Sequence, residues 1–151
     1  MIQNLKELES MVNNCILKAM AETREVLFDV ISSKVADYYQ EMDPMSYERT
    51  GRLMESLTAS NILLVDGKYY FTVGWDDDYL TFQYPGNPSW SGNIPATGAD
   101  VLYYFNNKSH GGTVPGSHRY WDEAMEEINS QCGSVLELFK IKLKETGLPI
   151  R

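Results

Sequence analysis

From Leu5 to about Met42 the apolar residues Leu8, Val12, Ile16, Met20, Leu27, Ile31, Val35 and Tyr38 recur at three- and four-residue intervals. That is the spacing of one helical face, and Glu, Lys and Asn fill the other positions. Unbroken, such a helix is roughly 60 Å long at about 1.5 Å per residue, more than the core of one small domain requires. Either it breaks near Thr23, or it runs beyond its own core and packs on another subunit. The 151 residues otherwise fit a single domain spanning 1–151.

Asp43-Pro44 stops the helix, because the residue before proline is pushed out of helical geometry. A short second helix is expected over Tyr47–Leu57, with Thr50 as N-cap and Leu53 and Leu57 on one face. Two β-rich runs, Ile62–Val65 and Lys68–Trp75, flank Asp66-Gly67, the pair that a tight hairpin favours because both central positions need positive φ. In the second run Tyr69, Phe71, Val73 and Trp75 alternate with Tyr70, Thr72 and Gly74, so one face is strongly apolar. Asp76–Asp78 reads as a solvated turn, and Leu80, Phe82 and Tyr84 as a third strand completing an antiparallel meander.

Residues 85–98 hold three prolines and three glycines without periodicity and read as a long loop. Ala99–Asn106 predicts a short helix, with a strand as the alternative. A last helix is expected from near Ser117 to about Thr146, with Trp121, Met125, Ile128, Cys132, Val135 and Phe139 in one stripe. Acids in its first turns and Lys140, Lys142 and Lys144 in its last suit the helix dipole; Gly133 is its soft point, and Gly147 and Pro149 end it. The expected fold is α+β: a long N-terminal helix, a short second helix, a small antiparallel β-meander and a long C-terminal helix packed on the sheet.

Charge and cysteine usage narrow the function classes. Thirteen Lys and Arg against twenty-one Asp and Glu give a net charge of −8, and no basic cluster offers a footprint for gripping nucleic acid. Cys15 and Cys132 stand far apart, outside any CxxC or Cys/His cluster, which predicts neither a disulfide framework nor a zinc site. No basic stretch followed by an apolar run opens the sequence and no segment is of bilayer-spanning length, so no membrane association is expected.

Catalytic signatures are sparse. His110 and His118 are the sole histidines, eight residues apart across glycine-rich turns, and with Asp122 or Asp100 they offer an incomplete metal set. More simply, His118 flanks the last helix and His110 is a polar loop residue. Asp76–Asp78 lacks the spacing of a calcium loop, and Gly111–Ser117 lacks the lysine of a phosphate loop. No nucleophile elbow or dinucleotide fingerprint is present, so no cofactor is expected. What remains is surface for partners. Tyr38, Tyr39 and Met42 crowd the end of the first helix, while Trp90 and Ile94 sit in the proline-glycine loop, where an aromatic anchor suits an interface. The plainer reading of Tyr38 and Tyr39 is that they pack on the protein's own helix and sheet.

The stretch Pro44-Met45-Ser46-Tyr47-Glu48-Arg49-Thr50-Gly51-Arg52-Leu53-Met54-Glu55-Ser56-Leu57 resembles a segment of the small tail-completion, or head-tail joining, proteins of tailed bacteriophages. The most specific part is Arg49-Thr50-Gly51-x-Leu53-x-x-Ser56. Members of that family also place a β-meander, a tyrosine-rich segment (here Leu102–Asn107) and a closing helix after it. The present sequence departs from them in its long loop and in Asn106-Asn107. The resemblance implies a non-enzymatic virion protein forming a homomeric ring at the neck or tail end and contacting other neck or tail proteins. In it Arg49, Thr50 and Gly51 shape the turn between the first two helices, and Tyr47, Arg49, Thr50 and Gly51 join Tyr38, Tyr39, Met42, Trp90 and Ile94 as the residues expected at the oligomer or partner interface. DNA would pass through the ring without sequence-specific binding, and an acidic lumen suits that passage. The alternative is a small metal-dependent hydrolase using His110, His118 and Asp122, with Asp76–Asp78 as further acids.

Overall fold

Helix α1 runs unbroken from Leu5 to Glu41 in the computed structural model, which describes residues 4–41, 50–83, 95–107 and 119–149. Its 37 residues extend about 55 Å at about 1.5 Å per residue. Asn4 opens it, its Oδ1 accepting the Glu7 amide at 2.9 Å. Thr23 does not interrupt it: the buried hydroxyl donates to the Ala19 carbonyl at 2.8 Å and is satisfied inside the helix. Ala19, Thr23, Leu27, Ile31, Val35 and Tyr38 form one buried stripe. Among residues 5–18, by contrast, none is buried.

The second helix, α2, is a single turn, Arg52–Glu55, shorter than the spacing of Leu53 and Leu57 predicts. Gly51, not Thr50, occupies the N-cap, at φ 79°, where a Cβ would be strained. Thr50 stands one residue earlier, and its Oγ1 accepts the Arg52 amide at 3.4 Å. The helix ends because the buried Ser56 hydroxyl donates back to the Leu53 carbonyl at 3.0 Å, while the Ser56 carbonyl accepts the Asp76 amide at 2.9 Å. Leu57 therefore starts strand β1, Leu57–Ala59.

Among the described residues the strands of the expected antiparallel region form three two-stranded ladders. Strands β2, Leu63–Val65, and β3, Lys68–Tyr70, form the antiparallel hairpin around Asp66 and Gly67, whose φ values of 49° and 72° are both positive as the turn demands. The second β-rich run does not continue as one strand. Ser60 and Thr72 exchange hydrogen bonds at 2.9 Å, and β4, Val73–Trp75, pairs with β1. The alternation of Tyr69, Phe71 and Val73, half-buried, with exposed Tyr70 and Thr72 holds across that break.

The acidic run is a helix start rather than a plain turn. Asp76 caps α3, Asp77–Leu80, its Oδ1 accepting the Tyr79 amide at 3.0 Å, so Leu80 is a buried helix residue and not the first residue of a strand. Strand β5 shrinks to Phe82–Gln83 and pairs antiparallel with β6, Pro95–Ala96. Helix α4, Gly98–Asn107, lies where expected. The C-terminal helix is two: α5, Tyr120–Cys132, and α6, Val135–Glu145. Gly133 at φ 91° breaks it, and Ser134 recaps, accepting the Glu137 amide at 3.1 Å. Gly147 at φ 87° then ends α6.

The architecture is α+β, and its residues group into two compact units, 1–30 with 59–73 and 124–151, and 31–58 with 74–123. In the first, Leu27, Ile128 and Leu138 form a core lined by Phe71, Val73 and Met125. In the second, Val35, Tyr38, Leu53, Leu80, Phe105 and Tyr120 do so, with Trp75, Val101 and Leu102 against them. Arg24 is anchored within the first unit by donating from Nη1 to the Ser60 carbonyl at 2.9 Å.

Candidate assembly surfaces

The motif that carries the resemblance is first of all a folding device. Gly51 supplies the positive φ, Leu53 enters the core and Ser56 is buried as the joint between α2 and β1. Outside it lies a small exposed cluster. The Arg52 guanidinium sits 5.5 Å from the Tyr79 ring centroid and donates to the Tyr79 carbonyl at 3.4 Å, while the Tyr79 hydroxyl donates to Glu55. That hydrogen bond to the Glu55 carboxylate holds the Tyr79 phenol above its usual range. These contacts tie α2 to α3.

Tyr38 is a core residue. Its ring meets Phe105 edge-on at 4.2 Å and Tyr39 at 5.5 Å, and half-buried Tyr39 packs on the same cluster. Phe105 also stacks on Tyr120 at 4.5 Å, and Trp75 meets Tyr120 at 4.8 Å. Met42, Tyr47, Arg49, Trp90 and Ile94 lie outside the described residues, as do His110 and His118.

Burial pushes the Tyr120 phenol up to about 12. The neutral form is favoured in the fold, so the unfolded chain loses this proton first as pH rises. The contribution is complete below about pH 10 and disappears towards pH 12. Melting followed from pH 9 to 12 is expected to show a drop in Tm that is smaller in Tyr120→Phe than in the wild type. Parallel curves would contradict it.

Three acids of the alternative reading, Asp122, Asp76 and Asp100, have local structural partners. Asp122 pairs with Arg119, which donates from Nε at 2.8 Å. Asp76 caps α3. Asp100 accepts the Thr97 hydroxyl at 2.7 Å and the Thr97 amide at 3.1 Å, which holds its carboxyl below the usual range. Among the described residues no three His, Cys, Asp or Glu side chains gather as metal ligands, and no helix is long and apolar enough to cross a membrane. Cys15 and Cys132 are free and half-buried, Cys132 donating from Sγ to the Ile128 carbonyl at 3.0 Å.

Among the described residues, two groups of neighbouring exposed apolar side chains lie in the first unit. At the start of α1, Leu5, Leu8 and Met11 are 79%, 39% and 41% exposed. A shallow groove of about 490 Å³ runs beside them, lined by Glu7, Met11, Asn14, Cys15, Lys18 and Thr146. On the hairpin, Leu63, Leu64, Val65 and Tyr70 are 56%, 61%, 48% and 49% exposed. Tyr38 is thus inside and Tyr39 half-buried, while these aliphatic side chains are outside. The sequence signal for the first patch is the excess length of the helix; for the hairpin it is three consecutive apolar residues in a strand with one ladder partner.

Fold and surfaces together describe an α+β chain whose longest element carries exposed apolar residues at one end. The YomN family model matches residues 4–145, and the chain belongs to the YomN family, which is phage-associated. Searches of the curated proteins and of the solved structures find no match.

Proposed function

We propose that the chain is a structural protein of a tailed-phage particle, assembling as a homomeric ring at the head-tail junction or the head-proximal end of the tail. The observation that carries this reading is the first turns of α1, where Leu5, Leu8 and Met11 extend beyond the buried stripe that starts at Ala19. Apolar side chains held on a rigid helix, and left uncovered by the described residues of their own chain, are suited to a neighbouring subunit. A ring needs two unlike surfaces that meet head to tail and close. The helix start supplies one, and phage association of the family is consistent with such a role. The net charge of −8 fits a lumen through which DNA passes without being held.

The reading is tested with the full chain carrying Leu8→Glu and Met11→Glu together. Neither residue is buried, so circular dichroism and melting should stay near wild type. The assembly is expected to weaken by at least about tenfold, since even one buried apolar contact is worth about 1.4 kcal/mol or more. Wild-type assembly by the double variant would contradict the role given to this end of the helix.

A further inference from the structure

We propose that β2 is an intermolecular edge, at which two copies of the chain join by antiparallel pairing of Leu63–Val65 around a twofold axis at Leu64. A two-residue turn with both φ values positive closes on Val65 and Lys68 as a hydrogen-bonded pair. Hydrogen-bonded and non-hydrogen-bonded pairs alternate along an antiparallel ladder, so Leu64 and Tyr69 form a non-bonded pair. The Leu64 N–H and C=O consequently point away from β3, towards an edge that no other described strand occupies. Leu63, Leu64 and Val65 are each about half exposed or more, so both faces of the strand as well as its edge meet water. Free edges are normally blunted by charge, proline or a bulge, and β2 itself has no charge and no proline. A lone two-stranded hairpin is marginal in water and gains from added strands.

Charge identifies the occupant as a second copy. With a net charge of −8, most of the surface repels another copy, yet residues 56–75 contain one acid, Asp66, and one base, Lys68, and are neutral. In the twofold register Leu64 faces Leu64 of the other copy and exchanges two hydrogen bonds with it. Leu63 faces Val65, Asp66 faces Ile62, and no like charges meet. The pairing is independent of the ring: a twofold contact joins two chains, whereas a ring requires a separate head-to-tail contact.

The test uses the full chain with Cys15→Ser and Cys132→Ser, to which single cysteines are added at exposed positions 63, 64 and 65. Cα atoms of a hydrogen-bonded antiparallel pair lie about 5.5 Å apart, within the span of a disulfide. Mild oxidation is expected to convert most Leu64→Cys chains to disulfide-linked dimer. Leu63→Cys alone should stay single, and a mixture of Leu63→Cys with Val65→Cys should cross-link. No cross-linking at Leu64→Cys, or equal cross-linking at all three positions, overturns the proposal. Leu64→Pro supplies a second readout, because it deletes the outward N–H without removing a hydrogen bond of the hairpin. It should abolish the twofold contact while the circular dichroism of the chain stays that of the wild type; persistence of that contact overturns the register. If the ring reading alone fails, the Leu64→Cys dimer still forms but no larger assembly does.

Discussion

Phe105→Ala is expected to lower the stability of the chain by about 3–5 kcal/mol, read as a fall in the urea midpoint. Phe105 is 3% exposed and joins residues of four other helices: it stacks on Tyr120 at 4.5 Å, receives the edge of Tyr38 at 4.2 Å and shares the core with Leu53 and Leu80. Truncation removes the ring area and leaves a cavity between aromatic rings that cannot collapse without tilting α4. A loss below about 1 kcal/mol would mean that the ring is not held where the structure places it.

Gly98→Ala is expected to cost about 3 kcal/mol, unusually much for one added methyl group. A Cβ at Gly98 would collide with the Asp77 carbonyl oxygen and lie 2.6 Å from the Asp77 Cα. These are backbone atoms, so nothing can rotate away. Relief requires moving α4 off α3, which also breaks the hydrogen bond from the Gly98 amide to Thr81 Oγ1 at 3.0 Å. Gly74 provides the control, because a Cβ there meets nothing within 4 Å. Gly74→Ala should leave the denaturation midpoint almost unmoved. Equal effects at the two positions would refute the close approach of α3 and α4.

Phe105 is readable as a core residue from its neighbours in the chain, since Val101–Phe105 is an apolar run bounded by Asp100 and Asn106. Its aromatic partners are not, because Tyr38 and Tyr120 are remote in sequence. Helix α1 is legible because its buried stripe repeats from Ala19 to Tyr38, and its excess length is legible for the same reason. The break at Gly133 is half legible: the glycine marks a soft point, but the stripe of Met125, Ile128, Cys132 and Val135 continues across it, and a positive φ with the Ser134 cap divides α5 from α6. The distance of Leu57 from Leu53 predicts a helical residue. The Ser56 hydroxyl, turned onto the Leu53 carbonyl, sends Leu57 into a strand instead.

The candidate surfaces are less legible than the fold. Aromatic side chains suit interfaces as well as cores, and composition alone does not separate the two roles; Tyr38 goes inside because Phe105 and Leu53 meet it there. Periodicity likewise counts Leu63, Leu64 and Val65 as core-forming, although one hairpin partner covers neither face. Leu8 carries the helical signal as strongly as Ile31. The difference is that the rest of the chain reaches Ile31, which is fully buried, and leaves Leu8 exposed.

Self-assembly, the activity proposed for this chain, is read from the mass of the unmodified full chain in native solution. Light scattering during size-exclusion chromatography, repeated over a wide range of concentration, is expected to give one discrete closed oligomer that dissociates only on dilution. A strict monomer at every concentration would contradict the account.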